Sequence, residues 1–268
     1  MEKIQDKAEQ NLKKVRKNKP LIHNITNYVV MNYSANTLLA MGASPVMAHA
    51  HNEVEEMVKI AGALVINIGT LSDEWIDSMV LAGKKANNIN IPVILDPVGS
   101  GATSYRTASA DKIIKEVKLS VIRGNASEIL SLRKVNSSTK GVDSVYKSED
   151  ALHSAKMLAK ELKTVIAITG AVDLITDGVK TIRVANGHPM MSYVTGTGCS
   201  ATVTIAAFLA VDKNPLTAAA TALGFFGLAG EVAATKASAP GSFLIEILNA
   251  LYTISPEELK EGIRISVE

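Results

Sequence analysis

The chain has 268 residues, 47% of them hydrophobic and 20% charged, which suits one α/β core and argues against disorder. Lys and Arg number 28 against 26 Asp and Glu, and the most basic stretch, Lys13-Lys14-Val15-Arg16-Lys17, is amphipathic, so nucleic acid is not an expected partner. The single cysteine excludes an internal disulfide and a Cys-rich metal site. The opening Met1-Glu2-Lys3-Ile4-Gln5-Asp6 lacks a signal-peptide apolar region, so a cytoplasmic location is expected.

Ile4, Ala8, Leu12 and Val15 recur at helical spacing and predict an amphipathic helix over about 3–17, ended by Pro20. Pro20 to Asn27 reads as a strand running into a polar loop, followed by a helix over about 28–41 that Gly42 closes. A short extended piece at 43–48 and a helix at 53–61 come next. The runs Ala63–Gly69, Pro92–Asp96, Leu119–Arg123 and Thr164–Thr169 are largely apolar and of strand length, as expected of parallel strands covered on both faces. Helices are predicted between them near 72–88, 108–118, 125–133 and 148–162.

Beyond Gly170 the rhythm changes. Asp177-Gly178 between two alternating segments, 173–176 and 179–184, predicts an antiparallel hairpin at one edge of an otherwise largely parallel sheet. A short extended segment then leads into Thr195-Gly196-Thr197-Gly198-Cys199, with helices near 199–211, 215–236 and 241–253. A tail helix is capped at Ser255-Pro256. The uncharged stretch 215–230 falls short of a membrane span and reads as a buried helix, so no membrane association is expected. No repeat or linker divides the chain, and a single domain over 1–268 is expected.

Four polar clusters sit where predicted strands end: Asp96-Pro97-Val98-Gly99-Ser100-Gly101, Arg123-Gly124-Asn125-Ala126-Ser127-Glu128, Thr169-Gly170 and the glycine turn at 196–198. In open α/β sheets such clusters converge on one crevice. The glycine turn can aim the N–H groups of Thr197 and Gly198 and the helix dipole at a phosphate, forming an anion hole. Cys199, directly after it, is placed to take a hydroxyl proton, with a thiol pKa that a helix N-terminus can lower. Taken singly, the turn could be close packing, Cys199 an inert small hydrophobe and Glu128 a first-turn helix charge. Arg123 at the end of an apolar strand is harder to dismiss, because a buried guanidinium calls for an anion. No Gly-x-x-x-x-Gly-Lys-Ser/Thr sequence occurs, which disfavours a P-loop enzyme.

Together, His23-Asn24-Ile25-Thr26-Asn27, Asp96-Pro97-Val98-Gly99-Ser100-Gly101-Ala102, Arg123 to Glu128 and Gly196-Thr197-Gly198-Cys199 resemble the ribokinase-like superfamily and, within it, the hydroxyethylthiazole kinases, over about 21–258. The resemblance implies a ribokinase-like α/β fold and Mg²⁺-dependent phosphorylation, by ATP, of the thiazole's primary alcohol. Arg123 and Thr169 match positions that hold ATP, and Met47 and Gly196 positions lining the thiazole pocket. Asn125 and Glu128 match the magnesium-organising motif, with Asp96 near enough to join through water. The superfamily's usual base at the glycine turn is aspartate; here it is Cys199, as in the thiazole kinases. The resemblance also implies a homotrimer with the thiazole site between subunits, so that Asn24, the loop to Asn27 and Met47 face a neighbour's glycine turn. A kinase for another vitamin precursor, such as hydroxymethylpyrimidine or pyridoxal, and a nucleotide-binding module without turnover remain the alternatives.

Overall fold

The computed structural model describes residues 3–134 and 148–268. Helix α1 (Ile4–Asn18) buries Ala8, Leu12 and Val15, and ends where Lys19 turns left-handed ahead of Pro20. Strand β1 (Leu21–Ile25), helix α2 (Met31–Met41) and the short strand β2 (Ser44–Val46) follow, with Gly42 closing α2 at φ 99°. After α3 (Val54–Ile60) come β3 (Ala63–Asn67), α4 (Asp73–Asn88), β4 (Val93–Asp96) and α5 (Ser104–Glu116). Ser72 and Thr103 cap α4 and α5 by accepting the backbone N–H of Trp75 and Arg106, each cap being worth about 1 kcal/mol.

Strand β5 (Val121–Asn125), helices α6 (Ala126–Lys134) and α7 (Ser148–Leu162) and strand β6 (Val165–Thr169) complete the parallel part. The hairpin β7 (Asp173–Thr176) and β8 (Thr181–Val184) turns at Gly178, φ 90°, where the Asp177 carboxylate accepts the N–H groups of Val179 and Lys180. The chain closes with α8 (Thr197–Leu209), α9 (Pro215–Ala234), α10 (Pro240–Thr253), α11 (Pro256–Gly262) and β9 (Ile265–Val267).

Among the described residues these strands form one nine-stranded sheet in the order β2-β1-β3-β4-β5-β6-β7-β8-β9. It is parallel from β2 to β6 and antiparallel from β6 to β9. The mixed sheet with an antiparallel edge is the architecture expected, and three details differ. Helix α5 starts at Ser104 rather than near 108, because Thr103 caps it within a stretch whose glycines and serines read as loop. The segment before the glycine turn is a 3₁₀ helix, Pro189–Tyr193, started by His188, whose ring accepts the Met190 N–H. The tail continues past its helix into β9, three residues that are ordered by pairing with β8 and carry no period of their own. Helix α9 is buried for most of its length, as expected, packed against α8, α10 and α1, although at 20 residues it is longer than the stretch read from the sequence and long and apolar enough to cross a membrane.

The sheet separates two apolar layers, one under α1, α2, α8, α9 and α10 and the other under α3 to α7. Successive strand side chains alternate between the two faces. On β3, Ala63 and Val65 join the α8 layer while Leu64 and Ile66 join the other. Ile22, Ile94, Val121, Val165 and Ala167 also face α8. The same alternation, carried to the strand ends, directs Asn24, Asn67, Asp96, Arg123 and Thr169 toward α8.

Helix α9 lies close against the strand side through glycine. A Cβ on Gly227 would sit 2.6 Å from the backbone carbonyl of Asn186. Gly227→Ala gains about 1 kcal/mol of helix propensity but forces the backbone of 186 to move, and overpacking of this kind costs about 1–3 kcal/mol. The variant is expected to unfold at lower urea concentration than the wild type, with an unchanged m-value.

Candidate active site

The parallel strands β1, β3, β4, β5 and β6 end at Ile25, Asn67, Asp96, Asn125 and Thr169, and α8 begins above them. Its entry is Gly196 at φ 87°, a left-handed conformation that suits glycine. A Cβ there would also press on Val30 and Tyr33. No side chain caps α8, and its first intrahelical bond runs from Ser200 N–H to Gly196 C=O. The N–H groups of Thr197, Gly198 and Cys199 precede that bond and need partners outside the helix. The Thr197 hydroxyl is committed to Met191 and Val194 C=O, at 3.0 and 3.1 Å, tying the turn to the 3₁₀ helix. The anion-binding capacity of this turn is therefore in its backbone.

Arg123 lies directly against the turn: a Cβ on Gly198 would come 2.8 Å from its Nη1. Its Nη1 is 3.6 Å from Asp96 Oδ2, and its Nη2 donates to Thr169 Oγ1. Asp96 is fully buried. Its Oδ2 also accepts from Thr202 Oγ1 at 2.8 Å and Asn67 Nδ2 at 3.0 Å, whereas its Oδ1 has no partner. Burial pushes this carboxyl up to about 6, against the opposing charge of Arg123. Arg123 Nε is also buried and unpartnered. Protein interiors rarely leave such atoms unsatisfied, and at a strand-end crevice a ligand is a ready explanation.

Asn125 and Glu128 form the opening of α6. Asn125 Oδ1 accepts from Ser127 Oγ at 2.7 Å and Glu128 N–H at 2.9 Å, while Glu128 Oε2 accepts the Asn125 N–H at 2.9 Å. Glu128 Oε1 accepts from Gly99 N–H, also at 2.9 Å, which joins the turn after β4 to the turn after β5. The helix-charge and site readings of Glu128 thus coincide. Each carboxylate oxygen of Glu128 retains a lone pair beyond the bond it accepts, whereas Asn125 Oδ1 has both of its own engaged.

Cys199 is buried, and its sulfur accepts from Asn67 Nδ2 at 3.2 Å and Asn27 Nδ2 at 3.7 Å. The expectation that the helix N-terminus lowers this thiol is overturned. Burial, followed by the charge of Asp96, pushes it up to about 12. Desolvation disfavours the thiolate, with the charge of Arg123 and the Asn67 and Asn27 bonds opposing.

A cavity of about 780 Å³ opens on one side of this cluster, bordered by Arg123, Asn125, Thr169, Asp173 and Gly198, with Phe226 on its apolar wall. That volume suits a cofactor-sized ligand. Met47, Asn24 and Gly196 do not border it. Asn24 is buried on β1, its Nδ2 donating to Ile22 C=O at 2.8 Å and its Oδ1 unpartnered, while Met47 follows β2 half-buried. These two lie on β1 and just after β2, while Asn27, on the loop after β1, bonds the Cys199 sulfur of the same chain, so that loop meets its own glycine turn rather than a neighbour's, contrary to expectation. His23 is bonded to Ala48 C=O at 2.7 Å, and burial lowers its pKa, so it stays neutral. No group of three or more His, Cys, Asp or Glu able to hold a metal gathers among the described residues. Sequence reasoning missed Asn67, which ends an apolar run, and Asp173, which opens the hairpin. For each, the only signal was a polar residue at the edge of a strand.

The hydroxyethylthiazole kinase family model matches residues 12–257. The chain belongs to this family. A hydroxyethylthiazole kinase of Desulfotalea psychrophila is 62% identical over 99% of this chain and 97% of its own length, and one from Moorella thermoacetica is 50% identical over 94% of each. The structure of a hydroxyethylthiazole kinase protein from Pyrococcus horikoshii OT3 superposes with a TM-score of 0.91 at 43% identity, covering 98% of this chain and 99% of that one. Staphylococcus aureus pyridoxal kinase, in complex with AMP-PCP and pyridoxal, reaches a TM-score of 0.65 at 18% identity, over 93% of this chain and 98% of that one. That likeness is one of fold, and it bears out the ribokinase-like architecture for this member of the thiazole kinase family.

Asp173 supplies a test of the site's electrostatics. It accepts from Gly170 N–H at 2.9 Å, and burial raises its carboxyl to about 7, the Gly170 bond and the charge of Arg123 opposing. A carboxyl raised on folding stabilises the fold fully below its unfolded pKa of about 3.9, and that contribution is lost as pH rises through the folded value. Asp173→Asn keeps an acceptor for Gly170 and removes the charge. Its melting temperature relative to wild type should climb by several degrees between pH 4 and pH 8, read by calorimetry.

Proposed function

We propose that this chain transfers the γ-phosphoryl group of ATP to the primary alcohol of hydroxyethylthiazole, with Mg²⁺, within a single domain. The observation that carries the reading is the meeting, at one strand-end crevice, of the Arg123 guanidinium, the uncapped N–H groups of α8 and the Cys199 sulfur. Family membership supplies the substrate.

Arg123 and Thr169 hold the nucleotide's phosphates, and the N–H groups of Thr197 and Gly198 receive charge on the transferred group. Met47, Asn24 and Gly196 form the thiazole end of the crevice. Asp96, Asn125 and Glu128 fit a hydrated magnesium: the buried Oδ1 of Asp96 lacks a partner, and magnesium keeps several waters and takes one or two carboxylates. When bound, the ion would supply positive charge that offsets the phosphates' negative charge.

In the reaction the alcohol oxygen bonds to the γ-phosphorus, the bond from that phosphorus to the β–γ bridging oxygen breaks with ADP as the leaving group, and the alcohol proton passes to water or to an oxygen of the transferred phosphate. Burial holds the proton on Cys199. Its contribution is to orient the hydroxyl, and proton removal comes late, as suits a loose phosphoryl-transfer transition state. Cys199→Ala is expected to lower kcat about 10- to 100-fold while leaving KM for ATP within about twofold. Incubation with Mg-ATP and the thiazole alcohol should yield the phosphomonoester by ³¹P NMR. ADP formation without it would reject the substrate, and nucleotide binding without product would make the chain a binding module.

The working form is a homotrimer in the cytoplasm, without nucleic-acid or membrane partners. In support, Tyr28, Val29, Leu39, Tyr193 and Ile245 are large, apolar and exposed. They lie on the loop after β1, on α2, on the 3₁₀ helix and on α10. Sedimentation at assay dilution should show a trimer; a fully active monomer would refute the shared site.

A further inference from the structure

The sulfur of Cys199 does not meet its surroundings at random. Asn67 ends β3 beside Asp96 of β4, and the two are paired in register. Its Oδ1 accepts from Gly69 N–H at 2.9 Å and from Asn27 Nδ2 at 2.8 Å. A backbone N–H can only donate, so this contact fixes which end of the amide is oxygen. The nitrogen must then face the other way, and its two protons reach Asp96 Oδ2 at 3.0 Å and Cys199 Sγ at 3.2 Å. Asn27 spends one proton on Asn67 and directs the other at the same sulfur, 3.7 Å away. Gly69 closes the back of the pair: a Cβ there would fall 2.5 Å from Asn27 Nδ2.

We propose that Asn67, locked by Asn27, is a positioning residue that holds the Cys199 sulfur and the Asp96 carboxylate in fixed relation, so that the acceptor alcohol meets an oriented thiol. The inference rests on the kinase reading given above. An amide nitrogen only donates, so the sulfur acts as acceptor toward both asparagines and its own S–H points away from them. Rotation of the Cys199 side chain would break both contacts. Asn67 touches the carboxylate on one side and the sulfur on the other with a single planar group, which leaves little freedom in their separation. Displacement of a reacting group by about 1 Å can cost about 100-fold in rate.

Stability alone does not call for this pair. Both amides are buried, and an apolar pair of the same shape can serve a core about as well as a hydrogen-bonded one. Of the four hydrogen bonds Asn67 makes through its side chain, one secures its own turn. The others go to Asn27, Asp96 and Cys199, all at the crevice.

The test is a double-mutant cycle between Asn67→Leu and Cys199→Ala, in the full-length protein, with Mg-ATP and the thiazole alcohol. Asn67→Leu alone should lower kcat at least tenfold with KM for ATP within twofold. In the Cys199→Ala background the same change should cost no more than Thr202→Val does, the share of its effect that runs through Asp96 alone. Thr202→Val, which removes a donor to Asp96 without touching the sulfur, should cost the same factor in both backgrounds. Should Asn67→Leu fail to fold, Asn27→Ala carries the cycle, with an expected three- to tenfold loss of kcat that vanishes without the sulfur. Equal losses from Asn67→Leu in both backgrounds, or an effect confined to KM for ATP, overturn the inference while leaving the kinase reading intact. A wild-type protein that makes no thiazole phosphate overturns both.

Discussion

Asp96 ends a central strand with no exposure to water, and its ionised form is tolerable there because Arg123, Thr202 and Asn67 all reach Oδ2. Truncating one partner of such a buried charge is costly, because the other is left unpaired. That demand explains much of the local arrangement. It places a cation at the end of β5, a hydroxyl one turn into α8 and an amide at the end of β3. Each of those groups then carries a second contact: Arg123 to Thr169, Thr202 to Gly198 C=O, Asn67 to Cys199. The pairing at Asp96 therefore also sets where the guanidinium, the glycine turn and the sulfur stand.

Two opposing effects act on Cys199, and their order matters for the chemistry. The start of α8 favours negative charge nearby, which is why the turn suits phosphate oxygens. The sulfur is buried against Asn27 and Asn67 and close to a carboxylate, so the proton is held. One helix terminus can thus favour an anion on its open side while the side chain of its third residue stays neutral.

The architecture was readable where patterns were long. Largely apolar runs announced the parallel strands, Asp177-Gly178 announced the hairpin, and Ser255-Pro256 announced the last helix. Shorter signals failed: β9 has three residues and exists because β8 offers an edge, and the 3₁₀ helix depends on His188 acting as its cap. At the site, Asp96, Arg123, Thr169 and the glycine turn were legible because charge or glycine at the end of an apolar strand is unusual. Asn67 and Asp173 were not, since nothing local distinguishes an asparagine that orients a sulfur from one that ends a strand. The depressed thiol expected of Cys199 failed for a related reason: burial depends on what α2, β1 and β3 place around it, and the turn itself carries no trace of that.

The contacts that define the reactive corner span great distances along the polypeptide: 172 residues separate Asn27 from Cys199, 132 separate Asn67 from it, and 106 separate Asp96 from Thr202. Loop closure over such spans costs entropy that only the docked layer returns. A nascent chain emerging from the ribosome would hold the early strands long before α8 is available to cover them. Until then the buried polar groups at the strand ends remain wet and uncoupled. The corner around Asp96 and Cys199 is accordingly complete only once α8 docks on the strand ends.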